Sequence, residues 1–196
     1  MIRYAKKLLA IVIILSMSIL PSFATENGAD NLTEGKIVGN TVKILDKSES
    51  ISVLMENKDL SYEQAAQEYS AMVARSERVE ERYITYSAGM GYQIEIGCLV
   101  VVACGSGHCN FVEVLDDVWS EASGSGSYTW DAFYTYVTIE GSVGDSLRFR
   151  TRGVLVVETD ITFGFEAAGF EILPSVGGTY YARKTMTIDE VKVMGG

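Results

Sequence analysis

Residues 92–103 read YQIEIGCLVVVA, and two β patterns meet inside them. Tyr92, Ile94 and Ile96 alternate with Gln93 and Glu95, the period of a strand with one buried and one wet face. From Leu99 to Ala103 every residue is apolar, as expected of a central strand covered on two sides.

Downstream of this stretch the period of two persists. Phe111–Leu115, Tyr128–Ile139, Ser146–Arg152, Val154–Thr162 and Thr179–Ile188 are strand candidates, with Gly141, Gly144, Gly153, Gly164, Gly169 and Gly177-Gly178 marking turns between them. No βαβ rhythm and no internal repeat interrupts them. The expected class is α+β and mainly β. It consists of an antiparallel β-sandwich, or a partly open barrel, of about six to eight strands over residues 83–196, preceded by a short helical segment.

Upstream, residues 47–82 carry the helical signal. Ile51, Leu54 and Met55 suit a short first helix, broken at Asn57-Lys58-Asp59. Ser61 and Gln64 then form a capping box. Behind it Tyr62, Ala65, Ala66, Tyr69, Met72 and Val73 recur on one face of a second helix. Residues 25–46 are polar and rich in Gly and Asn, a flexible linker with ordering expected only near Ile37–Leu45.

Residues 1–24 read as a cleavable signal peptide. Arg3, Lys6 and Lys7 precede an apolar run from Leu8 to Leu20, Pro21 ends it, and Ser22-Phe23-Ala24 supplies small residues for a peptidase. The run is shorter than the roughly 20 residues that span a bilayer. Removing 24 of 196 residues leaves 172, one domain's worth. Losing the three basic residues takes the net charge from −10 to −13. So acidic a body repels phosphates, which excludes a nucleic-acid partner, and no membrane partner is expected after cleavage. The expected location is extracellular, and the oligomeric state is not encoded legibly.

Export gives the three cysteines meaning. Cys104 and Cys109 flank Gly-Ser-Gly-His as facing positions of a hairpin and are the favoured disulfide, with Cys98 on the same strand face as a competing partner. Cys98, Cys104, His108 and Cys109 have zinc-binding atoms, but their spacing matches no zinc signature, so no metal site is assigned. His108 is the only histidine, which argues against Ser-His-Asp or Cys-His hydrolysis. No catalytic residue is assigned, because 26 acidic residues make any chosen pair uninformative.

Two constellations remain. Trp119 and Trp130, the only tryptophans, flank a Gly/Ser-rich stretch with Tyr128 and Asp131 beside them. Exposed aromatics there would offer flat apolar surfaces to sugar rings, and nearby carboxylates would bond hydroxyls or Ca²⁺; no other cofactor is expected. Arg148, Arg150 and Arg152 alternate with Leu147, Phe149 and Thr151, which puts three guanidiniums on one sheet face as an anion grip, extendable by Arg183 and Lys184. The expected function is a secreted, non-enzymatic binding protein recognising a glycan or another extracellular ligand. The alternative is a secreted carboxylate-dependent hydrolase, calcium-assisted or not.

Overall fold

A computed structural model describes residues 35–124, 127–175 and 177–193. The signal peptide expected over 1–24 lies outside them, as do residues 25–34 of the linker. The elements run β1 (Lys36–Ile44), α1 (Lys47–Lys58), α2 (Tyr62–Ala74), β2 (Glu77–Gly89), β3 (Tyr92–Gly105), β4 (His108–Ser123), β5 (Tyr128–Glu140), β6 (Ser146–Thr159), β7 (Glu171–Pro174) and β8 (Tyr180–Val193). The chain is mainly β. Its strands form two antiparallel four-stranded sheets, ordered β1-β2-β3-β4 and β5-β6-β8-β7.

β3 organises both layers of packing. Ile94, Ile96, Cys98, Val100 and Val102 enter a core shared with Phe149, Leu155, Met186 and Ile188 of the second sheet. The alternate positions Leu99 and Val101 face the other way. They meet Leu54 of α1, Ala65 and Met72 of α2, and Val79 and Leu115 in a second cluster. The doubly apolar run is therefore a strand with a sheet on one side and helices on the other. At about 1.5–3 kcal/mol for each fully buried aliphatic side chain, this stretch is the main weld between the layers.

Both helices start on capping boxes. Ser61 accepts from the Gln64 amide while Gln64 accepts from the Ser61 amide, as the sequence predicts. Asp46 and Glu49 do the same for α1. Asp59 ends α1 in the left-handed conformation (φ 51°). On the predicted apolar face of α2, Ala65 and Met72 are buried and Ala66 and Tyr69 pack against them. Tyr62 and Val73, at its two ends, are exposed.

Three boundaries differ from expectation. The linker read over 25–46 gives way at Lys36, because Lys36–Ile44, close to the Ile37–Leu45 stretch where ordering is expected, pair with β2 as an edge strand. β2 starts at Glu77, within the segment read as helical. Its polar run Arg78-Val79-Glu80-Glu81-Arg82 hides the strand signal, because Glu80 is fully buried between Arg78 (2.6 Å) and Arg82 (2.6 Å). Two oppositely charged partners satisfy the carboxylate that burial would otherwise penalise. Finally, Gly153 is no turn. β6 runs straight through it, and a Cβ there would lie 2.8 Å from the Trp130 ring and 2.5 Å from the Asp131 carbonyl. The glycine admits a close neighbour rather than a reversal of the chain.

Cys104 and Cys109 sit directly opposite one another on β3 and β4 and are disulfide-bonded. The reversal itself is two residues, Ser106 and Gly107, both at positive φ, as a tight hairpin requires. Cys98 stays reduced and buried. Burial pushes its thiol up to about 12, with Arg82 pulling weakly the other way.

Candidate functional site: a groove floored by Trp119

On the helix-bearing face of the first sheet, α1 covers only part of the surface. Beside it opens a groove of about 670 Å³. Its floor comes from alternate positions of three adjacent strands. Register places Glu81 opposite Leu99, Glu95 opposite Glu121, and Gly97 opposite Trp119. Lys43, Ser48, Glu49 and Ser52 close the near wall.

Gly97 is what lets the indole lie where it does. A Cβ at this position would stand 2.1 Å from a Trp119 ring carbon and 2.4 Å from the next, an impossible approach. The half-buried ring therefore lies across the β3 backbone and lines the groove. Carboxylates surround it. Burial raises the Glu95 pKa above its ordinary value, and repulsion from Glu121 adds to the rise. Contacts from Ser123 (Oγ–H to Glu95, 3.5 Å) and Trp119 partly offset it. The one cation, Lys43, donates to Glu49 at 2.8 Å and lies 3.9 Å from Glu81. That contact holds the Glu49 pKa below its ordinary value. An aromatic floor ringed by hydrogen-bond acceptors can hold a ring that has an apolar face and hydroxyl or ammonium donors at its edge.

The structure does not bring the two tryptophans together. Trp119 faces the helices, whereas its neighbour Ser120 points into the core between the sheets and accepts the Trp130 indole N–H at 2.9 Å. Ser120 also joins Thr135 (2.6 Å) and Thr151 (3.0 Å) in a polar triad that satisfies hydroxyls buried between the sheets. Trp130 itself is only 8% exposed. Tyr128 packs edge-on against Tyr92 (5.0 Å between centroids), and its hydroxyl donates to the Ser123 carbonyl. Asp131 is exposed on β5. Of Trp119, Tyr128, Trp130 and Asp131, Trp119 alone lines the groove. Among the described residues, no three His, Cys, Asp or Glu side chains are grouped to hold a metal ion.

Arg148, Arg150 and Arg152 do share the outer face of the second sheet, while Leu147, Phe149 and Thr151 are buried beneath them. Arg183 lies on the same face, opposite Val156. Lys184 does not. It turns inward and donates to the Ala168 carbonyl at 2.6 Å, with its ammonium over Phe170.

Glu95, Glu121 and Gly97 carry the groove and were not singled out by sequence. The alternation of Gln93 and Glu95 gives Glu95 an outward face, but only the β3–β4 register shows which carboxylate stands opposite. No family model, curated protein or solved structure matches the chain. The class that fold and site define is a mainly β protein with an acidic, aromatic-floored groove.

Proposed function

We propose that this is an exported binding protein whose groove takes a neutral or amino-bearing sugar ring of an extracellular glycan. Trp119, laid over Gly97 beside Glu95 and Glu121, is the observation that carries the proposal. A sugar's C–H face suits an indole, and its hydroxyls or ammonium suit carboxylates. The groove's charge, five carboxylates against Lys43, disfavours anionic ligands. Export is supported by the leader pattern of residues 1–24 and by a disulfide of the kind that persists in oxidising compartments. Among the described residues no helix is long and apolar enough to cross a membrane. We read the two sheets around one core as a β-sandwich that holds the groove rigid.

The test is calorimetry of the purified chain against chitosan, cellulose and xylan oligosaccharides, with and without Ca²⁺. Binding should be lost in Trp119→Ala while its far-ultraviolet circular dichroism stays native. Equal binding by wild type and Trp119→Ala would sink the proposal.

A second reading, carboxylate-dependent hydrolysis, draws on one observation: Glu95 is held toward its protonated form beside Glu121, as a general acid paired with a second carboxylate would be. It predicts reducing-end release from one of the same oligosaccharides, abolished in Glu95→Gln.

A further inference from the structure

We infer that the outer face of the second sheet is a separate binding surface for an acidic polysaccharide, one bearing carboxylate or sulfate groups. The face combines two features that the groove lacks. The first is a set of exposed aromatic side chains on one strand. A bulge between Ala132 and Tyr134 inserts an extra residue into β5, and Phe133, Tyr134 and Tyr136 stand 63%, 42% and 41% exposed. Bulges re-aim side chains in this way. Tyr134 and Tyr136 are stacked, with centroids 5.5 Å apart and planes 27° from parallel.

The second feature is the guanidinium row on β6, in register with the rings. Arg152 pairs with Tyr134, and Arg150 pairs with Tyr136. The Arg150 guanidinium also lies 5.8 Å over the Tyr136 ring. From β8, Asp189 lies 3.3 Å from Arg148 and 3.1 Å from Arg150, and Glu140 lies 3.1 Å from Arg148. These carboxylates fix two of the arginines without using up their donors, since each guanidinium carries five N–H groups. Arg152 is exposed and makes no ion pair among the described residues. By register Asp131, Glu158 and Glu171 also stand on this face, so the row is a strip of three cations within a mixed face, set beside exposed rings. Its chemistry suits a ligand with flat C–H faces for the tyrosines and planar anions for the forked guanidiniums.

An acidic peptide fits less well. Peptides gain affinity on sheets by pairing with a free strand edge. Here β6 is flanked on both sides by β5 and β8, so the arginine row itself offers side chains and no backbone. A peptide would have to pair with β5, the end strand of this sheet, and the poly-glutamate arm of the experiment tests that mode. The saccharide chain needs no such edge.

The experiment uses the full processed chain in affinity electrophoresis and calorimetry against polygalacturonate, dextran sulfate, uncharged dextran and poly-glutamate. Binding is expected to polygalacturonate, to dextran sulfate, or to both, and that contrast separates carboxylate from sulfate recognition. It should weaken roughly tenfold in Arg152→Gln, the loss of one charge-assisted contact, and again in Tyr134→Ala. Both residues are exposed, so melting temperature should hold. Trp119→Ala should leave this binding intact, which keeps it distinguishable from the groove. Unchanged affinity in Arg152→Gln, equal binding to uncharged dextran, or poly-glutamate binding as tightly as either acidic polysaccharide would each overturn the inference.

Discussion

Replacing Gly97 with alanine tests the contact on which the groove rests. The new Cβ would start 2.1 Å from the Trp119 ring, and ordinary contact begins at 3.4 Å, so the indole must retreat or tilt. Overpacking of this kind costs about 1–3 kcal/mol. Against it stands a gain of about 0.5–1 kcal/mol, because glycine is unfavourable within a strand. The net expectation is a loss of about 1–2 kcal/mol, or a fall in Tm of roughly 2–8 °C for a domain of this size. The same substitution in a Trp119→Ala background has nothing to collide with and should be neutral or stabilising. Urea melts of the four proteins form a double-mutant cycle, and the expected coupling is about 1–3 kcal/mol. If Gly97→Ala costs the same in both backgrounds, the indole does not lie across β3 and does not floor the groove.

Glu80→Gln should be severe, since it removes the charge between Arg78 and Arg82 from a fully buried site. Breaking such a pair costs about 3–5 kcal/mol, at the low end here because Arg78 keeps solvent contact, and chemical denaturation reads it directly. Cys98, with its thiol pushed up to about 12, should resist Ellman's reagent at pH 8 and titrate as one thiol only after unfolding. A fast-reacting thiol in the native protein would place Cys98 elsewhere. Glu95 supplies a pH dependence. Its folded pKa lies above its unfolded one, so its protonated form favours the native state below the unfolded pKa. That contribution is lost as pH rises through the folded value. Glu95→Gln should therefore melt close to wild type near pH 4 and above it at pH 7, and a constant difference across that range would contradict the burial described.

Much of the fold is legible because single elements carry their own signal. The doubly apolar run at Leu99–Ala103 could only be covered on two sides. Ser61 and Gln64 spell the start of α2, and the spacing of Arg148, Arg150 and Arg152 fixes their common face. What stays hidden depends on partners far along the chain. β2 looks polar because Glu80 finds both its arginines within two residues in either direction, yet only burial makes that pairing necessary. Gly153 reads as punctuation until Trp130 is seen packed against it. The two tryptophans look like neighbours across one loop, but Trp119 and Ser120 alternate on β4, and alternation sends adjacent side chains to opposite faces. The stretch that separates them in sequence therefore says little about which side of the sheet each one reaches.

The most direct measurement is intrinsic fluorescence of the purified chain during titration with a chitosan oligosaccharide. Trp130 is buried in the core, so the signal that changes should belong to Trp119, as a Trp119→Phe variant would verify by losing it. The expected result is acrylamide quenching of the free protein that falls as ligand fills the groove, with a matching spectral shift. An emission that neither ligand nor quencher alters would put Trp119 out of reach of solvent and contradict the groove as a binding site.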